Sequence, residues 1–422
     1  MEPASLEYAL AKDEQDPLGS FRERYALPVN RDGDPSIYFC GHSLGLQAFQ
    51  SNYYVKEEMD RWARLGVKGH FDGEPAWVDY QDKLQQILSG LTGANPGEVV
   101  IMNTLTVNIH LMLVSFYRPT RDRYKVLVEY SPFPSDQYAI KSQIRYHGFA
   151  VEDALIELKP RTGEYKVRME DIEEIIDLHG PSLALVYFGS VNYLNGQAYS
   201  LPSLVQKAHA AGAFFGLDLA HGAGNLLLKL HEWEVDFAVW CTYKYLNGGP
   251  NSLAGCFIHQ KHHAGTPIPR FEGWYGHDLQ RRFIMEPDFI PMPGAAAWQL
   301  SGPPILSLAG MRAGLEDFEE AGMERLRNKS VQLTAYLGSL LDSLQDPRLV
   351  IITPADPEMR GCQLSLRLDP PDKRIFHRLM DSGVVVDWRE PGIIRVAPVP
   401  MYNSFRDVYA FYVILKQILK DL

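Results

Sequence analysis

Nowhere in the 422 residues does an apolar run approach the roughly 20 needed to cross a bilayer, so no membrane-spanning helix is expected. Cysteine is scarce as well. Cys40, Cys241, Cys256 and Cys362 stand far apart, without a C-x-x-C pair or clustered histidines, which leaves a disulfide framework and a zinc site equally unsupported. Positive charge is outnumbered: 41 Lys and Arg face 52 Asp and Glu, a net charge of −11 that repels a nucleic-acid backbone. The opening stretch MEPASLEYALAKDEQDPLGS has neither the basic start nor the apolar core of a signal peptide, so the expected location is the cytoplasm. Internal repeats are absent, which excludes a solenoid.

What is present is the balance of a globular protein, 46 % hydrophobic and 22 % charged. The length suits two or three domains. From about Val99 to Ala297 short apolar runs alternate with amphipathic stretches, the pattern of an α/β fold whose strands and helices exchange over a mostly parallel sheet. Expected strands are Val99–Met102, Lys125–Glu129, Leu183–Phe188, Phe214–Leu217, Phe237–Cys241 and Cys256–Ile258, with helices such as Pro202–Ala211 between some of them. A Gly/Pro-rich stretch, Met292–Pro304, leads into a long helical pattern from Ile305 to about Leu344. Beyond it, Leu349–Thr353, Gln363–Leu368, Val384–Asp387 and Ile393–Val396 read as strands, and Asp372–Ser382 and the segment from Asn403 as helices. That is a second, smaller α+β domain. The N-terminal segment has too little periodicity to stand alone and is expected to pack on it.

The run DFAVWCTYKYLNGG, residues 236–249, ends a strand-like stretch in a lysine between two tyrosines. Lys244 either leaves the core for solvent or faces a crevice. In FFGLDLAHGAGN a buried strand ends at Asp218, with His221 three residues on. The C-terminal end of a sheet strand is where open α/β folds bind ligands, although helix capping is the commoner use of such an aspartate. If both side chains enter one crevice they suit pyridoxal phosphate, whose aldehyde bonds a lysine amine and whose ring nitrogen pairs with a carboxylate. In IMNTLTVNIHLML a helix is expected to begin near Thr106; its free N–H groups make a phosphate site, and a capping role is compatible with that. SPFPSDQYAI sets Phe133 and Asp136 in a Pro-punctuated loop, where an aromatic can stack on a flat cofactor, though turn chemistry explains either residue alone. Arg395, in GIIRVAPVP, has the fork that grips an α-carboxylate and equally the usual place of an exposed edge-strand arginine. Gly41–Gly45, GHSLG, matches the nucleophile elbow of serine hydrolases, but only one plausible strand, Ile37–Cys40, lies upstream, whereas the elbow follows a central strand.

Together these stretches resemble the kynureninase family, pyridoxal-phosphate enzymes of the aspartate-aminotransferase fold type, over nearly the whole chain. The most specific parts, in order, are GHSLGLQ (41–47), NTLTVNIHLML (103–113), FPSD (133–136), DLAHGAGN (218–225), TYKYLN (242–247), GWYGH (273–277) and IRVAPVPMYNSF (394–405). The resemblance implies a large domain, 51–305, with a mostly parallel seven-stranded sheet flanked by helices, a small α+β domain, 306–422, and an N-terminal segment, 1–50, packed on the latter. It implies that Lys244 holds the cofactor covalently, that Asp218 pairs with the pyridine nitrogen and that Phe133 stacks on the ring. Leu105, Thr106, Asp136, His221, Tyr243 and Trp274 would complete the cofactor site, Tyr243 and Trp274 near the phosphate. Lys244, Asp218 and Tyr243 would be the catalytic groups. Arg395 would bind the substrate carboxylate, with Ser43, His70, Ser301 and Gly302 around the aryl end. The active site would lie at the interface of a homodimer, Trp274 coming from the neighbouring subunit.

The activity so implied is hydrolysis of L-kynurenine or its 3-hydroxy form to L-alanine and an anthranilate, in tryptophan breakdown or NAD biosynthesis. Two positions depart from the family pattern: His42 stands where asparagine is expected, and Gly302 where relatives place a hydrogen-bonding side chain near the substrate ring. The nearest rivals are an aminotransferase and a cysteine desulfurase of the same fold type. A desulfurase needs its cysteine on a mobile loop, and Cys362 lies in an expected strand.

Overall fold

The structure, a computed structural model, describes residues 4–263 and 268–422. Its largest element is a seven-stranded sheet in the order Val99–Met102, Ala254–Ile258, Phe237–Cys241, Phe214–Asp218, Leu183–Gly189, Lys125–Val128, Leu155–Glu157. Ala254–Ile258 runs antiparallel to both of its neighbours, and all other pairings are parallel. Strands such as VVIM and FAVWC are buried along their whole length, because helices cover both faces and leave no face for polar alternation. The parallel register brings Asp218 opposite Gly189 and Val239, so the loops after the central strands open at one edge. An edge strand, Leu155–Glu157, was not expected; it is three half-buried residues too short to carry a period.

A second, antiparallel sheet of four strands has the order Leu349–Ile351, Leu364–Leu368, Ile393–Val396, Asp387–Arg389. Helices Met323–Ser343, Lys373–Asp381 and Phe405–Asp421 pack a separate apolar core with it. The last of these opens on a capping box between Ser404 and Asp407. The N-terminal helix Leu6–Glu14 lies against Phe405–Asp421, and Ile37–Tyr38 adds a parallel partner to Val384–Val385. The helical pattern from Ile305 to Leu344 is two helices, Ile305–Ala321 and Met323–Ser343. Gly322, at φ +76°, breaks it in a conformation that costs other residues about 1 kcal/mol or more. The single strand expected at Val384–Asp387 is likewise divided, into Val384–Val385 and Asp387–Arg389, which join different sheets.

The two sheets are riveted at one turn. After Leu183–Gly189 the carbonyl of Tyr193 accepts from Gln363 Nε2 and Arg395 Nη1, both at 3.0 Å. The carbonyls of Leu194 and Asn195 accept from Ser365 Oγ at 2.7 Å and Thr353 Oγ1 at 2.6 Å. Backbone acceptors of one sheet's connection are thus satisfied by side chains of the other, which fixes where Arg395 faces.

Candidate active site

A cavity of about 500 Å³ opens at the C-terminal edge of the central strands. Its floor carries Asp218, the last residue of its strand, with one carboxylate oxygen held by the Ala220 N–H at 2.6 Å. Lys244 arrives three residues beyond the neighbouring strand, Phe237–Cys241. Its loop is rigid: Thr242 Oγ1 donates to Leu253 O at 2.6 Å, and the Gly45 N–H donates to Tyr243 O at 2.8 Å. Gly45 lies so close that a Cβ would fall 2.3 Å from Lys244 O, so only glycine fits there. The Lys244 Nζ stands 5.8 Å from the centre of the Phe133 ring, which Tyr193 supports edge-on at 5.1 Å.

At one end of the cavity, helix Leu105–Phe116 begins. The turn into it places Asn103 at φ +49° and is pinned by Asn108, whose Nδ2 donates to Met102 O at 2.9 Å. Thr104, at the cap position, makes no side-chain bond to the helix, and Thr104, Leu105 and Thr106 of this N-terminus line the cavity. That is an anion site. Asp136, expected in a loop, lies in the first turn of helix Pro134–Tyr146; Pro134 occupies an early position where a missing N–H costs nothing.

Three carboxyls are buried here. Burial pushes Asp136 well above the usual range, and the neighbouring Asp218 pushes it further; burial raises Asp218 too, but Lys244 and the Ala220 N–H favour its charge. Glu129, deeper still, is pushed by burial up to about 8 even though Asn192, Tyr199 and the Gly189 N–H bond it. Burial and the charge of Lys244 hold His221 well below an ordinary histidine. Asp136 Oδ1 and His221 Nδ1 have no hydrogen-bond partner among the described residues. Across the cavity Arg395, 2 % exposed, donates from Nε to Asp387 Oδ1 at 2.7 Å and from Nη1 to Tyr193 O, leaving Nη2 uncommitted among the described residues.

Of the residues singled out from sequence, Leu105, Thr106, Phe133, Asp136, Asp218 and His221 line this cavity. So do Tyr243, Lys244, Ser43 and Arg395. Trp274, His70, Ser301 and Gly302 do not; they lie on an exposed face where Trp274 packs on Phe283 at 5.5 Å and Gly302 abuts the Tyr275 ring. Glu129, Arg389 and Tyr193 line the cavity without having been expected. Asp387 sits directly opposite Arg395 across an antiparallel pair, so a hairpin reading of DWREPGIIRV was the signal that could have found Arg389.

This donor set fits pyridoxal phosphate: an amine for the aldehyde, a carboxylate for the ring nitrogen, an aromatic face and a helix N-terminus. The desulfurase and serine-hydrolase chemistries find no support. Cys362 is fully buried and its thiol is pushed by burial up to about 12. Ser43 has no base among the described residues, since neither ring nitrogen of the adjacent His42 makes a hydrogen bond, and the strand before the turn, Ile37–Tyr38, is a two-residue partner of Val384–Val385 and not a central strand.

A family profile described as "Kynureninase C-terminal domain" matches residues 326–415. The kynureninase of Myxococcus xanthus is 53 % identical over 407 residues, 96 % of each chain. That of Koribacter versatilis is 51 % identical over 404 residues, 96 % of this chain and 95 % of that one. Among solved structures, the cysteine desulfurase of Thermococcus onnurineus NA1 superposes with a TM-score of 0.75 at 17 % identity, over 92 % of this chain and 95 % of that one. The cysteine desulfurase CsdA of Escherichia coli gives 0.77 at 15 %, over 96 % and 99 %. At such identities the likeness is one of fold alone.

Proposed function

The chain belongs to the kynureninase family, as a pyridoxal-phosphate-dependent hydrolase acting on the Cβ–Cγ bond of kynurenine, and from that premise we propose how its own residues divide the work. The observation that carries the reading is the convergence of Lys244, Asp218, Phe133 and a helix N-terminus on one cavity, with Arg395 entering from the other sheet. Pyridoxal phosphate, when bound, supplies a protonated ring that takes up the electron pair left at the substrate's α-carbon. Lys244 would anchor it, Asp218 would keep the proton on its ring nitrogen, and Phe133 would cover a face. Leu105, Thr106, His221 and Tyr243 would surround it, and Lys244 and the Ala220 N–H favour the charge on Asp218 against its burial.

Arg395 binds the α-carboxylate through Nη2; with Nε and Nη1 already committed, its plane is set before the substrate arrives. Once the substrate's amine has taken its place, the freed Lys244 Nζ would remove the proton from Cα and carry it as an ammonium. A water oxygen adds to the γ-carbon and leaves with it as the carboxylate of the anthranilate. Cβ takes a proton as the bond breaks, and the Tyr243 hydroxyl, held protonated because burial pushes its pKa up, is the donor. L-alanine remains. Ser43 contacts the aryl end.

Trp274, Phe283, Ile284 and Met285 are each more than half exposed, beside Phe71 at 63 %. An apolar face of this kind marks a contact. The occupant in this reading is a second copy, so that Trp274, His70, Ser301 and Gly302 of one protomer complete the cavity of its partner. Residues 51–305 and 306–422 then act as large and small domains, with 1–50 packed on the small one, as the pairing of Ile37–Tyr38 with Val384–Val385 supports. No helix among the described residues is long and apolar enough to cross a membrane. We assign the enzyme to the cytoplasm, in tryptophan breakdown or NAD biosynthesis.

The test is an absorbance spectrum of the purified protein before and after borohydride, then L-kynurenine and 3-hydroxy-L-kynurenine given to separate untreated samples. A visible band that borohydride bleaches, with release of fluorescent anthranilate, is expected, and the ratio of the two rates reads what Gly302 and His70 do to ring selection. A colourless protein inert after added pyridoxal phosphate overturns the reading.

A further inference from the structure

His42 is fully buried in the wall of the cavity, and neither of its ring nitrogens has a hydrogen-bond partner among the described residues. A buried polar group left so is costly and calls for a ligand. The turn that carries it is fixed at both ends of the site. On one side Ala397 N, two residues beyond Arg395, donates to Phe39 O at 3.0 Å; on the other Gly45 N donates to Tyr243 O, next to Lys244. Within the turn, Ser43 N and Leu44 N both donate to Cys40 O, at 2.9 and 3.1 Å. The ring is therefore rigidly presented between the amine end and the carboxylate end of the expected substrate.

Its surroundings select the charge of the partner. Burial first, then Arg395, Lys244 and Arg389, hold the imidazole well below the ordinary value, so it is neutral and has one N–H to donate. A ring nitrogen comes within 4.8 Å of an oxygen of Asp387 and of Cys40 Sγ, but Asp387 is already engaged by Arg389 and Arg395, and three cations around the ring disfavour a metal. An anion held by Arg395 is what remains.

We propose that His42 is a second donor to the substrate's α-carboxylate, binding it jointly with Arg395. This rests on Arg395 being the carboxylate site. The position is where the family pattern has asparagine, another short side chain with an N–H to give.

The test is a spectral titration of the holoenzyme with L-alanine, which has the carboxylate and amine of the substrate but no γ-carbonyl, alongside kinetics on L-kynurenine. His42→Phe should weaken L-alanine binding about tenfold, the worth of one charge-assisted hydrogen bond, and raise KM similarly. His42→Asn should restore most of it. Should the phenylalanine variant lose the fold, His42→Ala makes the same comparison. Wild-type affinity for L-alanine in the Phe or Ala variant overturns the proposal, as does a loss confined to L-kynurenine, which would place His42 at the γ-carbonyl instead. Arg395→Lys, titrated in parallel, separates the two claims. If it leaves L-alanine binding intact, the carboxylate site itself is misassigned; if it weakens binding while His42→Phe does not, only His42 is.

Discussion

The seven-stranded sheet buries carboxyls at both of its edges and treats them in opposite ways. At the edge where the central parallel strands begin, Asp236 accepts from Phe215 N–H and His209 through one oxygen and from His262 and Lys261 through the other, all between 2.7 and 2.9 Å. Glu98 is bonded as fully, by Gln260 and Asn95 N–H groups and by His231. Burial alone would raise Asp236, but the histidine bonds outweigh it and hold its carboxyl well below the usual range. At the edge where those strands end, Asp136, Asp218 and Glu129 are all held up, and buried polar atoms stay unpaired. Burial is common to both. Saturation is not: Glu129 is bonded but Asp136 Oδ1 and His221 Nδ1 are left without partners among the described residues, and unpaired polar atoms in a cavity are the mark of a site built for something that arrives later.

The contrast predicts that the two edges fail differently. Lys244→Ala should keep the fold and lower kcat by more than about 10³-fold, read from stopped assays and an unchanged melting curve; near wild-type turnover would sink its role. Asp236→Ala should do the reverse, removing about 3–5 kcal/mol of stability while activity per folded molecule stays. Because Asp236 has a depressed folded pKa, that loss is largest at neutral pH and shrinks as pH falls below about 4, which urea unfolding at several pH values would show. Arg395→Lys should raise KM about 10- to 100-fold, a loss falling less on kcat, since a lysine cannot hold Asp387 and Tyr193 O and still present a fixed donor to the carboxylate. Smallest is Glu129→Gln. With a folded pKa raised to about 8, Glu129 favours the native state below its ordinary value of about 4.3 and loses that contribution as pH climbs to 8. The variant should therefore show a flatter fall in Tm between those values, and parallel Tm curves would refute it.

Much of this was legible in the chain, for reasons the comparison makes plain. Strands buried on both faces are continuous apolar runs, so Val99–Met102 and Phe237–Cys241 could be bounded from sequence, and the residues that end them followed. The half-buried edge strand Leu155–Glu157 has no such run. Gly322 was hidden because the apolar period continues through it, although the backbone does not. Asp136 was misplaced into a loop by its neighbouring prolines, one of which starts the helix. Glu129 escaped because its meaning comes from partners 60 residues or so away in the chain, Asn192 and Gly189, and Arg389 because its hairpin with Ile393–Val396 was not read as one. Trp274, His70, Ser301 and Gly302 show the remaining limit, for a single chain does not bring them to the cavity that ten other expected residues share.

The turn whose carbonyls take bonds from Arg395, Gln363, Ser365 and Thr353 makes the two sheets a calliper with its jaws set. On the proposed roles of Arg395 and Lys244, the span from guanidinium to lysine amine is set by these side-chain bonds to backbone carbonyls, and the enzyme would gauge every candidate by the length of an α-amino acid's head. Variety in what it accepts is thereby pushed outward, to the aryl side, where a few exposed side chains can be exchanged in evolution without resetting the gauge.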